Sequence, residues 1–429
     1  MAGPEGIPVL DLKFIRENPE RVRANLIARG SSVDLDRLLA LDAQRRSLLQ
    51  ELEDVRRQRN EHSAAIKGRK PSDEERERGR LLKESEPRLE TELRAAEAEL
   101  DALNRAVPNM TQPDVPPGRD ESANQLVRRW GEPPKFGFEP LDHMALAEKH
   151  DLVDFEGGAK VTGPKFYFLK NEAVLLEHAL VRYALELLRG RGFTLMQTPD
   201  LARREVCAGT GFNPDGPERQ IYTIEDSDLA LIGTAEITLS GLHAGDLFEL
   251  ERLPIRYCGV SHCFRLEAGA AGRYGRGLYR VHQFTKVEMF AYAHPDTSDD
   301  MHREFLAIEE QVFQGLELPY RVMLLCAGDA AAQSARTYDI EAWMPGREAG
   351  GSYGEVTSTS TCTDYQARRL GIRFRDADGG KPRFVHMLNG TAVATARLLI
   401  PLLEIHQQAD GSIRIPKALQ PYTGFDRIG

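Results

Sequence analysis

Between residues 33 and 107 apolar side chains recur at alternating steps of three and four. Leu38, Leu41, Leu48, Leu52 and Val55 mark one run, with Arg45, Arg59, His62 and Ile66 at the other inward steps. Leu82, Leu89, Leu93, Ala96, Leu100, Leu103 and Val107 mark a second run, with Glu86 at one inward step. A repeat of 3.5 residues is the seam of a coiled coil. Between the runs lies KGRKPSDEE, where Gly68 and Pro71 break the helix and Ser72 is placed to cap the next one. Two helices of similar length joined by a short polar turn predict an antiparallel hairpin, and an arm of about 32 residues would be roughly 50 Å long. Pro87 lacks a backbone donor and its ring crowds the preceding turn, which predicts a kink with Ser85 recapping the helix beyond it.

The period then changes. Residues 108–140 are rich in proline, glycine and polar side chains and read as a linker. NEAVLLEHALVRYALELLRGRG (171–192) has helical spacing and ends on glycine, and FTLMQTPDL follows as a strand. LPIRYCGVSHCFRLE and HQFTKVEMFAYA alternate like paired strands, and RTYDIEAWM and GSYGEVTSTS read as two more. TSDDMHREFLAIEEQVFQGLE (297–317) is a capped helix, and HMLNGTAVATARLLIPLLEIHQQ closes with a strand, a small-residue turn and a long helix. Strands in runs with segregated helices predict an α+β fold on a mainly antiparallel sheet flanked by helices, preceded by the two-helix arm.

The chain has 429 residues, 41% apolar and 28% charged, and a net charge of -10. Nothing global in that balance favours nucleic acid. Residues 42–83 differ, with twelve Lys or Arg against nine Asp or Glu, a local +3. Two readings stay open for this stretch: a solvated charged hairpin, or a rod that binds a phosphate backbone by releasing counterions. The five cysteines are odd in number and lack CxxC spacing, so an inert, reduced set in the cytosol is expected rather than a disulfide framework. The N-terminus carries acid and proline where a signal peptide would carry bases and apolar residues, and no apolar run of about 18 residues predicts a membrane span. GxxxxGK[ST] and GxGxxG after a strand are both missing, so the common phosphate loops have no support.

The chemistry concentrates in FRLEAGAAGRYGRGLYRVHQFTKVE (264–288). Arg265 and Glu267 sit two apart on a predicted strand and so share one face, and Phe284 and Glu288 share one face of the return strand. Arginine forks phosphate oxygens, an aromatic ring takes a base, and carboxylates read an amine or a hydroxyl. A hairpin so equipped could grip a nucleotide triphosphate; the same residues also fit a surface hairpin with cross-strand ion pairs.

This stretch resembles motif two of class II aminoacyl-tRNA synthetases, in the form used by seryl-tRNA synthetases of the bacterial and organellar type. NGTAVATAR (389–397) resembles their motif three, and GTAEI (233–237) their serine-binding loop. YDIEAWMP and SYGEVTSTS are similar to the strands that supply ATP and metal ligands, and 171–199 resembles the dimer-forming motif one. The hairpin resembles the family's tRNA-binding arm. The resemblance spans the whole chain and implies a tRNA-binding domain at 1–110 with its arm at about 33–107, a linker at 111–140 and a class II catalytic domain at 141–429.

The resemblance further implies a cytoplasmic homodimeric serine–tRNA ligase. It would form seryl-adenylate from L-serine and ATP with Mg2+, then charge tRNA(Ser), with tRNA(Sec) open as a second acceptor. Arg265, Arg280 and Arg397 would be catalytic. Thr234, Ala235, Glu236, Arg265, Glu288, Asn389 and Thr391 would bind serine. Arg265, Leu266, Glu267, Val281, Phe284, Glu355, Val356, Thr357, Ser358 and Arg397 would bind ATP, with Phe284 and Arg397 on opposite sides of the base. Glu355 and Ser358 would carry the metal. The chain departs from the family pattern in its GRYGRG loop, which lacks an acidic residue, in the long glycine-rich MPGREAGGSYGEV connection, and at Pro87. A fold that had lost catalysis would lack charge at Arg265, Glu267, Glu288, Glu355 or Arg397, yet all five are present. A relative that loads a carrier protein would lack the arm.

Overall fold

A computed structural model describes residues 10–214, 219–267, 277–376 and 379–429. The chain forms two compact units, one up to Pro108 and one from Asn109 onward.

The first unit opens with two short helices, α1 (Leu12–Glu17) and α2 (Pro19–Ala28), and continues into α3 (Leu35–Ala65) and α4 (Asp73–Ala106), which pack on each other. Asp34 caps α3 by accepting from the Arg37 N–H. Ser72 and Glu75 form a reciprocal capping box on α4, followed by acids in its first turn where the helix dipole favours them. The seam buries Leu38, Leu41, Leu48 and Leu52 against Leu82, Leu89, Leu93, Ala96 and Leu100. Each buried leucine contributes about 1.5–3 kcal/mol. Towards the turn the seam changes character: Arg59 is exposed, and Arg56 bridges to Glu86 at 3.0 Å and to Glu90 at 2.7 Å. The fresh cap expected at Ser85 is corrected. α4 runs through Pro87 as one helix, and the Ser85 hydroxyl donates back to the Leu81 carbonyl at 2.7 Å. Pro87 is exposed, on a side of the helix where a carbonyl that loses its N–H donor can turn to water.

In the second unit the elements that position the site are, in order, β1 (Gln125–Trp130), α5 (His143–Lys149), α6 (Glu172–Gly190), β2 (Thr194–Gln197), α7 (Ala235–Gly241), β3 (Ile255–Phe264), β4 (Gln283–Ala293), α8 (Ser298–Gly315), β5 (Tyr320–Leu324), β6 (Arg336–Met344), β7 (Ser352–Thr363), β8 (His386–Ala394) and α9 (Thr395–His406). Eight of the described strands form one sheet in the order β1-β5-β6-β7-β8-β4-β3-β2. Every pairing is antiparallel except β2 with β3, which is parallel. The segment read as a linker therefore supplies an edge strand, since β1 pairs with β5. All six residues of β1 are exposed, so no apolar alternation marked it. Leu176 and Leu180 of α6, Phe305 of α8, and Leu398 and Leu402 of α9 join Val287, Met289 and Leu388 of the sheet in the main core.

Two register shifts matter. On β7, Glu355 and Thr357 face the consecutive residues Glu341 and Ile340 of β6, so Val356 is the extra residue of a bulge. A bulge inserts one residue into the period of two, which brings Glu355 and Ser358 to one side of the strand although they lie an odd number apart. On β8 a second shift falls between Thr391, opposite Glu288, and Val393, opposite Val287.

Candidate active site

A cavity of about 940 Å³ opens over β4, β7 and β8. On β4 the period of two turns Phe284, Lys286 and Glu288 to one face, and all three line the cavity. Opposite Glu288 stands Thr391 of β8, whose hydroxyl donates to Glu288 Oε2 at 3.4 Å. Lys286 forms a buried ion pair with Glu288 and donates to Thr391 Oγ1 at 3.5 Å.

Thr234 caps α7 by accepting from the Glu236 N–H at 3.2 Å. Glu236 is buried, and its Oε1 accepts from Gln366 Nε2 at 2.7 Å and from Asn389 Nδ2 at 3.0 Å. Burial pushes its carboxyl up to about 7, and the neighbouring Glu288 adds to the shift. This end thus offers two carboxylates, a threonine hydroxyl and an ammonium within a closed polar shell.

The other end is built from arginines. β3 stops at Phe264, so Arg265 and Glu267 are not strand residues as expected; they lie on the segment that follows, with Glu267 at φ +47. Both still line the cavity. Arg265 donates to the Gly233 carbonyl at 3.2 Å and lies 5.4 Å over the Phe284 ring. The His282 ring donates through Nδ1 to the Arg265 carbonyl at 2.7 Å and packs on Phe166, so it supports Arg265 structurally. Arg280 pairs with Glu267 at 3.1 Å. Arg397 pairs with Glu355 at 2.6 Å and lies 5.1 Å over Tyr279. Burial disfavours the Glu355 charge, yet Arg397 outweighs it and holds the carboxyl below its usual range. Across the β6–β7 pair, Asp339 stands opposite Ser358, and its buried Oδ1 has no hydrogen-bond partner among the described residues. Burial first, and Glu355 next, hold Asp339 well above the usual carboxylate range. A second cavity of about 1040 Å³ adjoins this end and shares Tyr279, Arg280, Glu355 and Ser358 with the first.

Most of the residues singled out in the sequence meet here. Thr234, Glu236, Arg265, Glu267, Arg280, Val281, Phe284, Glu288, Glu355, Val356, Thr357, Ser358, Asn389, Thr391 and Arg397 all line the first cavity. Two do not. Ala235 is fully buried, its Cβ 3.0 Å from where a Cβ on Gly259 would stand. Leu266 instead gives its N–H to the Gln220 carbonyl at 2.9 Å. Thr357 lines the cavity, but its hydroxyl donates to the buried Glu309 of α8 at 3.2 Å. The glycine-rich GRYGRG stretch, apart from Gly277, lies outside the described residues. Lys286, Gln366 and Tyr279 escaped the sequence reading. Lys286 was findable, because it sits midway between Phe284 and Glu288 at strand spacing; Gln366 and Tyr279 carry no such signal.

The family profile described as tRNA synthetase class II core domain (G, H, P, S and T) matches residues 222–406, and the one described as seryl-tRNA synthetase N-terminal domain matches residues 9–111. The serine–tRNA ligase of Rubrobacter xylanophilus is 55% identical over 427 residues, covering 98% of this chain and 99% of that one. The chain belongs to the seryl-tRNA synthetase family. Among solved structures it is similar to the seryl-tRNA synthetase from Pyrococcus horikoshii complexed with ATP, at 43% identity and a TM-score of 0.91, covering 98% and 99% of the two chains. It is also similar to the cytoplasmic serine–tRNA ligase from Naegleria fowleri in complex with AMP, at 32% identity and a TM-score of 0.85, covering 98% of each. As in the seryl-tRNA synthetase expectation, the core is a class II sheet and the N-terminal unit a long helical hairpin. No described helix is long and apolar enough to cross a membrane.

Proposed function

We propose that the chain activates L-serine with ATP and transfers the seryl group to the 3′-terminal adenosine of tRNA(Ser). The observation that carries this is one cavity with two chemically distinct ends, a carboxylate and hydroxyl end at Glu236, Glu288 and Thr391 and an arginine and aromatic end at Arg265, Phe284 and Arg397. The ATP and AMP bound to the two solved relatives suit the second end.

Glu288 and Thr391 read the serine hydroxyl, and Glu236 with Thr234 takes the ammonium. A shell that hydrogen-bonds the hydroxyl rejects alanine, because its buried groups would be left unpaired. Arg265 sits where the two ends meet and holds the serine carboxylate against the α-phosphate. A carboxylate oxygen attacks the α-phosphorus and pyrophosphate departs; the tRNA 3′-hydroxyl then attacks the acyl carbon and AMP departs. Positioning and charge neutralisation by Arg265, Arg280 and Arg397 suffice for the first step, so no nucleophilic side chain is needed.

Mg2+ suits the oxygen set at Glu355 and Ser358, next to which the unpartnered Asp339 Oδ1 leaves surplus acceptor capacity. Bound there, the ion would offset phosphate charge. Asn389 orients Glu236, and Leu266 and Ala235 contribute through the backbone at most. We further propose a homodimer, a cytoplasmic location, and an arm (1–110, with the hairpin at about 33–107) that meets tRNA by shape and backbone charge.

Pyrophosphate exchange with each of the twenty amino acids, without tRNA, tests the activation step. Exchange with serine, abolished in Arg265→Ala, is the expected result; exchange with no amino acid overturns the reading.

A further inference from the structure

Glu404 lies on α9, seven residues beyond Arg397, and its side chain is 1% exposed. It lines neither cavity, yet three N–H groups converge on it. Its Oε1 accepts from the His143 backbone N–H and from His143 Nδ1, both at 2.9 Å, and its Oε2 accepts from the Gly346 N–H at 2.8 Å. A carboxylate at Nδ1 keeps the ring proton there and leaves Nε2 as an acceptor. That acceptor meets the Leu278 N–H at 3.4 Å. The ring also lies against Gly277, at φ +65, so closely that a Cβ there would stand 2.1 Å from Nε2.

The residue after Leu278 is Tyr279. Its carbonyl accepts from Arg397 Nε at 3.3 Å, and its ring carries the Arg397 guanidinium at 5.1 Å and that of Arg347 at 4.4 Å. Arg347 follows Gly346, whose N–H Glu404 holds. One buried carboxylate therefore fixes both segments that bear on Arg397, the return segment 277–279 and the connection 345–347.

We infer that Glu404 and His143 are positioning residues for the far end of ATP: they set the place of Tyr279 and Arg347 and so aim Arg397. This rests on the ATP-site reading above. A clasp that only stabilised the fold would lower stability without distinguishing the two substrates.

The test uses the full chain and three variants, His143→Ala, His143→Gln and Gly277→Ala. ATP affinity is measured by calorimetry without serine, and KM for ATP and for serine by pyrophosphate exchange. Glutamine keeps a donor for Glu404 and an acceptor for Leu278. His143→Ala is expected to weaken ATP at least tenfold with serine KM within twofold, His143→Gln to recover most of the loss, and Gly277→Ala, which displaces the ring from its other side, to match His143→Ala. Unchanged ATP affinity in His143→Ala or Gly277→Ala, equal rises in both KM values, or no recovery by glutamine overturns the inference. If His143→Ala fails to fold, Gly277→Ala decides alone. A wild-type chain that binds ATP but exchanges no amino acid sinks the serine reading and leaves the positioning to be decided by ATP affinity; one that binds no ATP overturns both.

Discussion

Lys286 and Glu288 form an ion pair at the carboxylate and hydroxyl end of the cavity, two residues apart on one strand, with side chains 6% and 2% exposed. The strand period sets both on the face that Thr391 approaches from the next strand. Removing one partner leaves the other charge buried without compensation, which costs about 3–5 kcal/mol, whereas removing both costs far less. Lys286→Met should lower the unfolding free energy by that amount in urea titrations. The double variant Lys286→Met/Glu288→Gln should recover most of the stability while remaining inactive with serine.

Glu236 gives a pH dependence. In the folded chain it keeps its proton up to about pH 7, against 4.5 for the ordinary carboxyl. The native state therefore binds more protons than the unfolded chain between these values, and stability falls as pH rises from about 4.5 to about 7. Glu236→Gln removes this titration. Without substrates, wild-type stability relative to Glu236→Gln should fall across that window by up to roughly 3 kcal/mol, measured by denaturant unfolding at a series of pH values.

Arg397 both pairs with Glu355 and lies over Tyr279. Lysine keeps the charge but neither the fork nor the flat face. Arg397→Lys should raise KM for ATP by about tenfold or more, a loss near 1.4 kcal/mol, with serine KM within twofold. Steady-state pyrophosphate exchange under variation of each substrate checks this.

The two kinds of contact in the arm should differ in weight. Arg37 pairs with Glu99 through two bonds of 2.7 Å, but both side chains are about half exposed. Exposed pairs contribute roughly 0–1 kcal/mol. Leu89 is buried in the seam, and its truncation should cost about 2–5 kcal/mol. Thermal unfolding of Arg37→Ala and Leu89→Ala separates the two.

The periodic parts of this chain were legible from its residues. Steps of three and four gave α3 and α4, because one face of each helix is buried, and alternation gave β3 and β4. Where the backbone leaves its period, legibility ends. Glu355 and Ser358 share a side only through the bulge at Val356, and Glu267 reaches the cavity from a left-handed residue rather than from a strand. β1 has no buried face and passed for linker. At Pro87 the recapping by Ser85 did not follow, because the sequence does not show which side of the helix meets water. The motif resemblance reached Arg265, Glu288 and Arg397. Gln366 and Glu404 come from segments that only the folded chain brings to the site, and Tyr279, although it precedes Arg280, shows its role only once Arg397 lies over its ring.

Deleting 35–106 and joining the ends should leave serine-dependent pyrophosphate exchange within a few-fold and abolish charging of tRNA at micromolar concentration. Equal charging with and without the hairpin would remove the arm from the account.

The most direct measurement is acylation of deacylated total tRNA by the full-length chain, with ATP, Mg2+ and each of the twenty labelled amino acids in turn. Label is expected from serine alone, in an alkali-labile ester on the serine-accepting tRNA. Label from another amino acid, or none from serine with wild-type protein that exchanges pyrophosphate, would contradict it.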